Sequence, residues 1–203
     1  MTFYANRGKF EGMSARIGRS AARLGLSPNQ WTFISVIPAL AALYFLVNAE
    51  YIPAAACFIF AAFLDMVDGA VARATGRASK AGAYLDTMVD RYVEFFIVLG
   101  LVWLASQSLL PALWLPAVVW IFLYYFGAVM TSYAKAAAKE KDFVKTEIKG
   151  GIVERAERLM ILFAGIVLAS ANTSYLTYTI VLLAFLTNIT AVQRAWIARK
   201  YAG

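Results

Sequence analysis

A chain of 203 residues that is 62% hydrophobic and only 15% charged cannot cover a soluble globule of its size with polar side chains, so a bilayer is its expected solvent. Its net charge of +7 gives no case for a nucleic-acid partner, because no soluble fold with a basic face can be traced. The absence of histidine excludes imidazole bases, phosphohistidine and His-ligated zinc, and the lone Cys57 in an apolar run excludes a disulfide framework.

Residues 1–26 are polar and basic and lack the apolar core of a cleavable signal. Within them, residues 14–26 set Ile17, Ala21 and Leu24 apart from Arg16, Arg19 and Arg23. This pattern predicts an interfacial amphipathic helix lying on anionic headgroups, or equally a cytosolic helix packed on neighbouring loops. Six apolar runs follow, at residues 31–47, 51–68, 84–105, 110–133, 159–171 and 175–196. The fifth is short, and its helix is expected to begin earlier, near Gly151.

The connections at residues 48–50, 106–109 and 172–174 contain no Lys or Arg, so all nineteen basic residues lie elsewhere. By the positive-inside rule, both termini and the remaining segments are cytoplasmic, which requires an even number of crossings. The expected fold is all-α: a single polytopic domain over residues 1–203 in the cell membrane. It consists of a juxtamembrane helix within 1–28 and six transmembrane helices within 29–203. Lys135, Lys139, Lys141, Lys145 and Lys149 read as a headgroup-binding or solvated loop.

Acidic residues in such spans are expensive, at about 2.5–3.5 kcal/mol each near bilayer centre. Asp65 and Asp68 are spaced i, i+3, and Asp86 and Asp90 are spaced i, i+4, so each pair shares a helix face. Two antiparallel helices joined between them would gather four carboxylates, which repel one another unless hard cations intervene. Magnesium or manganese suits an all-oxygen site, and two divalent ions would match four carboxylates in charge. Ion pairing with Arg73, Arg77 and Arg91 is the plainer alternative. A cation pathway through a transporter fits the spacing as well as an enzyme does. The residues between the pairs favour an enzyme: Gly69, Ala72 and Gly82 leave room for a ligand against backbone, and Arg73 offers a fork suited to phosphate.

The segment from Asp65 to Asp90 resembles the signature D-x2-D-G-x2-A-R-x8-G-x3-D-x3-D of the CDP-alcohol phosphotransferase family, meeting every specified position. The resemblance implies that Asp65, Asp68 and Asp86 are metal ligands, with Asp90 sharing the site. It also implies that Asp90 is the general base for the acceptor hydroxyl, and that Gly69, Ala72, Arg73 and Gly82 contact the CDP group. The acceptor oxygen would attack the β-phosphorus and CMP would leave. Ser27-Pro28-Asn29-Gln30-Trp31-Thr32 resembles a family element at the start of the first span, which adds Asn29 and Thr32 to the CDP-lipid site. Read without the family, it is a helix start.

Two further stretches, Ser132-Tyr133-Ala134-Lys135 and Glu154-Arg155-Ala156-Glu157-Arg158-Leu159, resemble the inositol-phosphate-using branch. Ser132, Lys135, Arg155 and Arg194 would then form a pocket for the acceptor phosphate beside the aspartates. Routine basic residues at helix ends, with Glu154 and Arg158 as an i, i+4 pair, are the plainer reading. The donor implied is CDP-archaeol or CDP-diacylglycerol and the assembly a homodimer, with the aromatic third and fourth spans as contact faces. Sibling enzymes using glycerol phosphate or serine remain open at this point.

Overall fold

A computed structural model of the chain describes residues 7–143 and 150–201, with the backbone alone at residues 7–11 and 13. Lys145 and Lys149 of the expected headgroup-binding loop lie outside these residues. The chain divides into two compact units, Met1–Asn48 with Pro53–Gly100 and Ala49–Ile52 with Leu101–Gly203. All regular structure among the described residues is α-helical.

In the first unit, α1 (Arg7–Ala22) is followed by α2 (Pro28–Ile34) and α3 (Val36–Val47). Ser27 starts α2 through a capping box. Its hydroxyl accepts from the Gln30 N–H at 3.3 Å, and the Gln30 side chain accepts from the Ser27 N–H at 2.7 Å. The first expected span is therefore two helices, not one. Pro38 has no N–H to give the Ile34 carbonyl, and its ring crowds that carbonyl, so the helix breaks at Ser35.

α4 (Tyr51–Ala74) runs past the apolar segment that ends at Asp68, and α5 (Lys80–Ser106) starts before the next one. Hydropathy cut both helices short because their shared end is polar, although Ala70, Val71, Ala72 and Arg73 all suit a helix. The joint is a Schellman motif. Gly76 takes φ +66°, and the Arg77 N–H donates to the Ala72 carbonyl at 3.0 Å. Ser79 then caps α5 by accepting from the Gly82 N–H at 3.0 Å. The signature residues Asp65, Asp68, Gly69, Ala72 and Arg73 thus stand on one helix end, and Gly82, Asp86 and Asp90 on the start of the next.

α1 docks on α4. A Cβ at Gly18 would run into the Ala70 carbonyl, so only glycine permits this approach. Ile17 and Ala21 pack on the buried cluster of Trp31, Leu64, Val67 and Val71. Of the apolar residues expected along this segment, Ile17 and Ala21 are thus covered by protein, while Leu24, beyond the helix end, is 67% exposed.

The second unit holds the end of α5 with α6 (Ala117–Glu140), α7 (Arg155–Ala169) and α8 (Thr173–Tyr201). α6, the fourth expected span, starts at Ala117, not near residue 110, because Pro111 and Pro116 hold the intervening stretch out of helix. α7 starts at Arg155, not near Gly151. Gly150 and Gly151 take φ +128° and +121°, values that stop a helix and strain any other residue. Gly127 of α6 abuts Thr187 and Asn188 of α8, and Gly165 of α7 abuts Thr179 of α8. The Asn188 amide donates to the Leu123 carbonyl at 2.9 Å, tying α8 to α6 by a bond that a hydrocarbon surround does not weaken.

The outer face of α8 carries Tyr178, Leu182, Phe185, Ile189, Val192 and Trp196, all exposed, while Thr187, Thr190 and Arg194 are buried. Apolar outside and polar inside is the arrangement of a helix solvated by lipid. Among the described residues, four stretches are long and apolar enough to cross a membrane: Pro28–Val47, Tyr51–Ala74, Ala117–Glu140 and Thr173–Tyr201. α5 carries Asp86, Asp90, Arg91 and Glu94 within its first 15 of 27 residues, and α7 has only 15 residues, about 22 Å of helix. The protein is an all-helical membrane protein with these four candidate spans.

Candidate active site

Asp65 and Asp68 from α4 and Asp86 from α5 each offer a carboxylate oxygen within 4.8 Å of the others. Three ionised carboxylates at this separation would repel by about 3–4 kcal/mol per pair at an effective dielectric of ~20. The donor set is all oxygen and all anionic, so it fits a hard divalent cation. Asp68 is 5% exposed, and Thr32 Oγ1 donates to its Oδ2 at 2.6 Å, orienting the carboxylate. Asp90, one turn beyond Asp86 on α5, falls outside this set of three and is 7% exposed. Arg91, one candidate counter-charge for the aspartates, bonds Glu94 at 2.9 Å.

Beside the carboxylates lies a cavity of about 230 Å³ whose walls include Asp68 and Asp86. Asn29, Thr32, Gly69, Ala72, Arg73 and Gly82, the whole expected CDP set, line it. The glycines have steric reasons to be there. A Cβ at Gly82 would stand 3.1 Å from Ser79 Oγ and 3.3 Å from Asn29 Oδ1, and one at Gly69 would stand 3.3 Å from Arg73 Nη1. The space next to α5 and the fold of the guanidinium along α4 both depend on those missing side chains.

Sequence reasoning missed several neighbours. Ser79 and Ala78 join the cavity wall, as does Arg77, which spacing had suggested only as a salt-bridge partner. Ser14 of α1 accepts from Arg73 Nη2 at 3.0 Å, a contact across 59 positions that no local pattern announces. Ser79 had a local signal, a serine three residues before Gly82 at a helix start.

In the second unit, Ser132 and Lys135 lie i, i+3 on α6, Arg155 opens α7, and Arg194 lies on α8. Arg194 is 5% exposed. Its Nε donates to the Gly150 carbonyl and its Nη1 to the Thr131 carbonyl, each at 3.0 Å. Arg194 thereby reaches the residue next to Ser132. Arg158, which the plainer reading pairs with Glu154 at i, i+4, is 1% exposed and donates to Thr131 Oγ1 at 3.3 Å. Glu157 closes the start of α7: its Oε2 accepts the Glu154 N–H at 2.9 Å.

The family model for CDP-alcohol phosphatidyltransferase matches residues 26–199, which takes in all eight signature positions. The chain belongs to this family. Among its relatives is the archaetidylinositol phosphate synthase of Pyrococcus horikoshii, 35% identical over 187 residues, or 91% of this chain and 90% of that one. The phosphatidylinositol phosphate synthase of Mycobacterium marinum is 31% identical over 163 residues, covering 80% of this chain and 67% of that one. Among solved structures, the Mycobacterium tuberculosis phosphatidylinositol phosphate synthase with CDP-DAG bound has a TM-score of 0.78 at 27% identity, covering 91% of this chain and 92% of that one. The same enzyme in complex with manganese and citrate also gives 0.78 at 27%, covering 92% and 88%.

Membership in the CDP-alcohol phosphatidyltransferase family decides between the enzyme and the transporter that aspartate spacing left level. The protein is a phosphotransferase of phospholipid synthesis. Its carboxylate triad suits divalent metal use.

Proposed function

We propose that this protein transfers the phosphatidyl-type group of a CDP-lipid to inositol 1-phosphate and releases CMP. One observation carries the reading: the six residues expected at CDP, four from the signature and two from the start of α2, line a single cavity whose wall holds two of the three clustered carboxylates. The acceptor follows from the inositol-phosphate names of the relatives and from Ser132, Lys135, Arg155 and Arg194. The 35% identity to the archaeal relative favours CDP-archaeol over CDP-diacylglycerol as donor.

In the reaction an O–P bond forms between the acceptor hydroxyl and the β-phosphorus, the P–O bond to CMP breaks, and Asp90 takes the hydroxyl proton. Divalent ions at Asp65, Asp68 and Asp86, Mg²⁺ or Mn²⁺ and two in number with Asp90 alongside, would supply Lewis-acid stabilisation of the phosphate oxygens. The chain has no histidine, and Asp90 lies one turn beyond Asp86 on α5, which makes a carboxylate the candidate base. Asn29 and Thr32 close one side of the cavity, Gly69, Ala72 and Gly82 admit the nucleotide against backbone, and Arg73 meets phosphate with its fork. Arg194 retains Nη2 for the acceptor phosphate after its bonds to Gly150 and Thr131. Ser132 adds a hydroxyl donor, and Lys135 and Arg155 add charge.

The test supplies purified protein with CDP-archaeol or CDP-diacylglycerol, Mg²⁺ or Mn²⁺, and inositol 1-phosphate, glycerol phosphate or serine in turn. CMP release with inositol 1-phosphate alone is the expected result. Release with glycerol phosphate or serine instead would move the protein to a sibling activity.

The proposal includes one catalytic domain, since a single family model runs through both units. It also includes six crossings, with α5 and α7 completing the bundle, both termini cytoplasmic, and α1 at the headgroup level beside α4. The absence of Lys and Arg from residues 48–50, 106–109 and 172–174 supports this topology. Cysteines introduced at Asn48, Gln107 and Asn172 should react with impermeant thiol reagent only from outside intact cells. Labelling of any of them only after lysis would overturn the six-span reading. A homodimer through the aromatic faces of α5 and α6, where Tyr92, Phe95, Phe122 and Phe126 are exposed, is checked by light scattering of the same preparation.

A further inference from the structure

Thr131 is the point where the three helices of the second unit meet. Its hydroxyl accepts from Arg158 Nη1 of α7 at 3.3 Å and donates to the Ala128 carbonyl at 2.8 Å. Its carbonyl accepts from Arg194 Nη1 of α8 at 3.0 Å. Thr131 is 1% exposed, and the two arginines that reach it are 1% and 5% exposed.

The same junction fixes the entry to α7. Arg194 Nε holds the Gly150 carbonyl at 3.0 Å, Thr190 Oγ1 accepts from the Val153 N–H at 3.2 Å, and Gln193 Oε1 accepts from the Ile152 N–H at 3.1 Å. Gly151 fits only because it lacks a Cβ, which would strike Thr190 and approach Arg194 Nε at 3.3 Å. The path of the chain into Arg155 is therefore set by α8. The register of α7 itself is set by Arg158, one turn beyond Arg155, on Thr131. Ser132 follows Thr131 directly, and Lys135 lies one turn further along α6.

We infer that Thr131 is the positioning residue of the acceptor site. One side chain and one carbonyl place Arg194 and, through Arg158, Arg155 relative to Ser132 and Lys135. The four groups assigned to the acceptor phosphate then form one preorganised set. The inference rests on the acceptor reading above. Thr131 does not touch the acceptor; it acts through the arginines. Rigid placement of cationic forks matters most for a dianionic, directional ligand such as a phosphate monoester.

The experiment is steady-state CMP release by the full-length protein with inositol 1-phosphate and CDP-lipid varied separately. Thr131→Val keeps shape and carbonyl but removes the hydroxyl that Arg158 reaches. It should raise KM for inositol 1-phosphate about tenfold, while kcat and KM for CDP-lipid move less than about twofold. Thr131→Ser should restore the wild-type KM. If Thr131→Val does not survive purification, Thr131→Cys, a smaller change with a weak acceptor, carries the same expectation. An unchanged acceptor KM, or an equal loss toward both substrates without rescue by Thr131→Ser, would overturn the inference. Failure of the acceptor reading itself is distinct, because the wild-type protein would then release no CMP with inositol 1-phosphate.

Discussion

Asp90→Asn is expected to lower kcat for CMP release by about a hundred- to ten-thousand-fold, the range that general-base catalysis contributes. The substitution keeps the shape of the side chain and removes its basicity. The chain has no histidine to take over, and Asp90 sits at 7% exposure, one turn beyond Asp86 and outside the tight carboxylate set. KM for CDP-lipid should change less than about threefold, because the residues that line the cavity are untouched. Metal affinity measured by Mn²⁺ titration should change less than in a variant of the triad. A kcat within tenfold of wild type would mean that the proton goes elsewhere.

Asp68→Ala should remove at least about a hundredfold of both metal affinity and activity, since losing a ligand exceeds the effect of losing a ligand's support. Asp68 belongs to the carboxylate triad and to the cavity wall at once, and its position is fixed by the 2.6 Å bond from Thr32. Thr32→Val gives the instructive contrast. It keeps the ligand and removes its orienting donor, so metal affinity should fall about 10–100-fold, with activity recovered at high metal concentration. Activity of Asp68→Ala should not recover. Electron paramagnetic resonance of bound Mn²⁺ checks both variants. Wild-type Mn²⁺ affinity in Asp68→Ala would place the metal away from this triad.

The signature from Asp65 to Asp90 was readable because its chemistry is local: i, i+3 and i, i+4 spacing puts carboxylates on helix faces, and the small residues between them lie in the same two helix ends. The helix limits were less readable. Hydropathy ended the second span at Asp68 because it measures solvent preference, whereas the helix continues to Ala74 on backbone propensity. Proline effects were also underread: Pro38 splits the first span and Pro116 delays the start of α6, each through a missing N–H or a fixed φ.

Sequence by itself determined the solvent of this protein, its all-helical class, its family and the residue types of the carboxylate cluster and its cavity, since composition, periodicity and a fixed-spacing motif are properties of one strand of chain. Tertiary structure decided what depends on contacts between distant segments. It brought Thr32 to Asp68 and Ser14 to Arg73, and set the apolar side of α1 on α4. It buried Arg158 against Thr131 and gathered Asp65, Asp68 and Asp86 within 4.8 Å of one another. No spacing rule encodes these outcomes, because which side chain meets which across helices is set by how closely backbones approach, at Gly18, Gly127 and Gly151 above all.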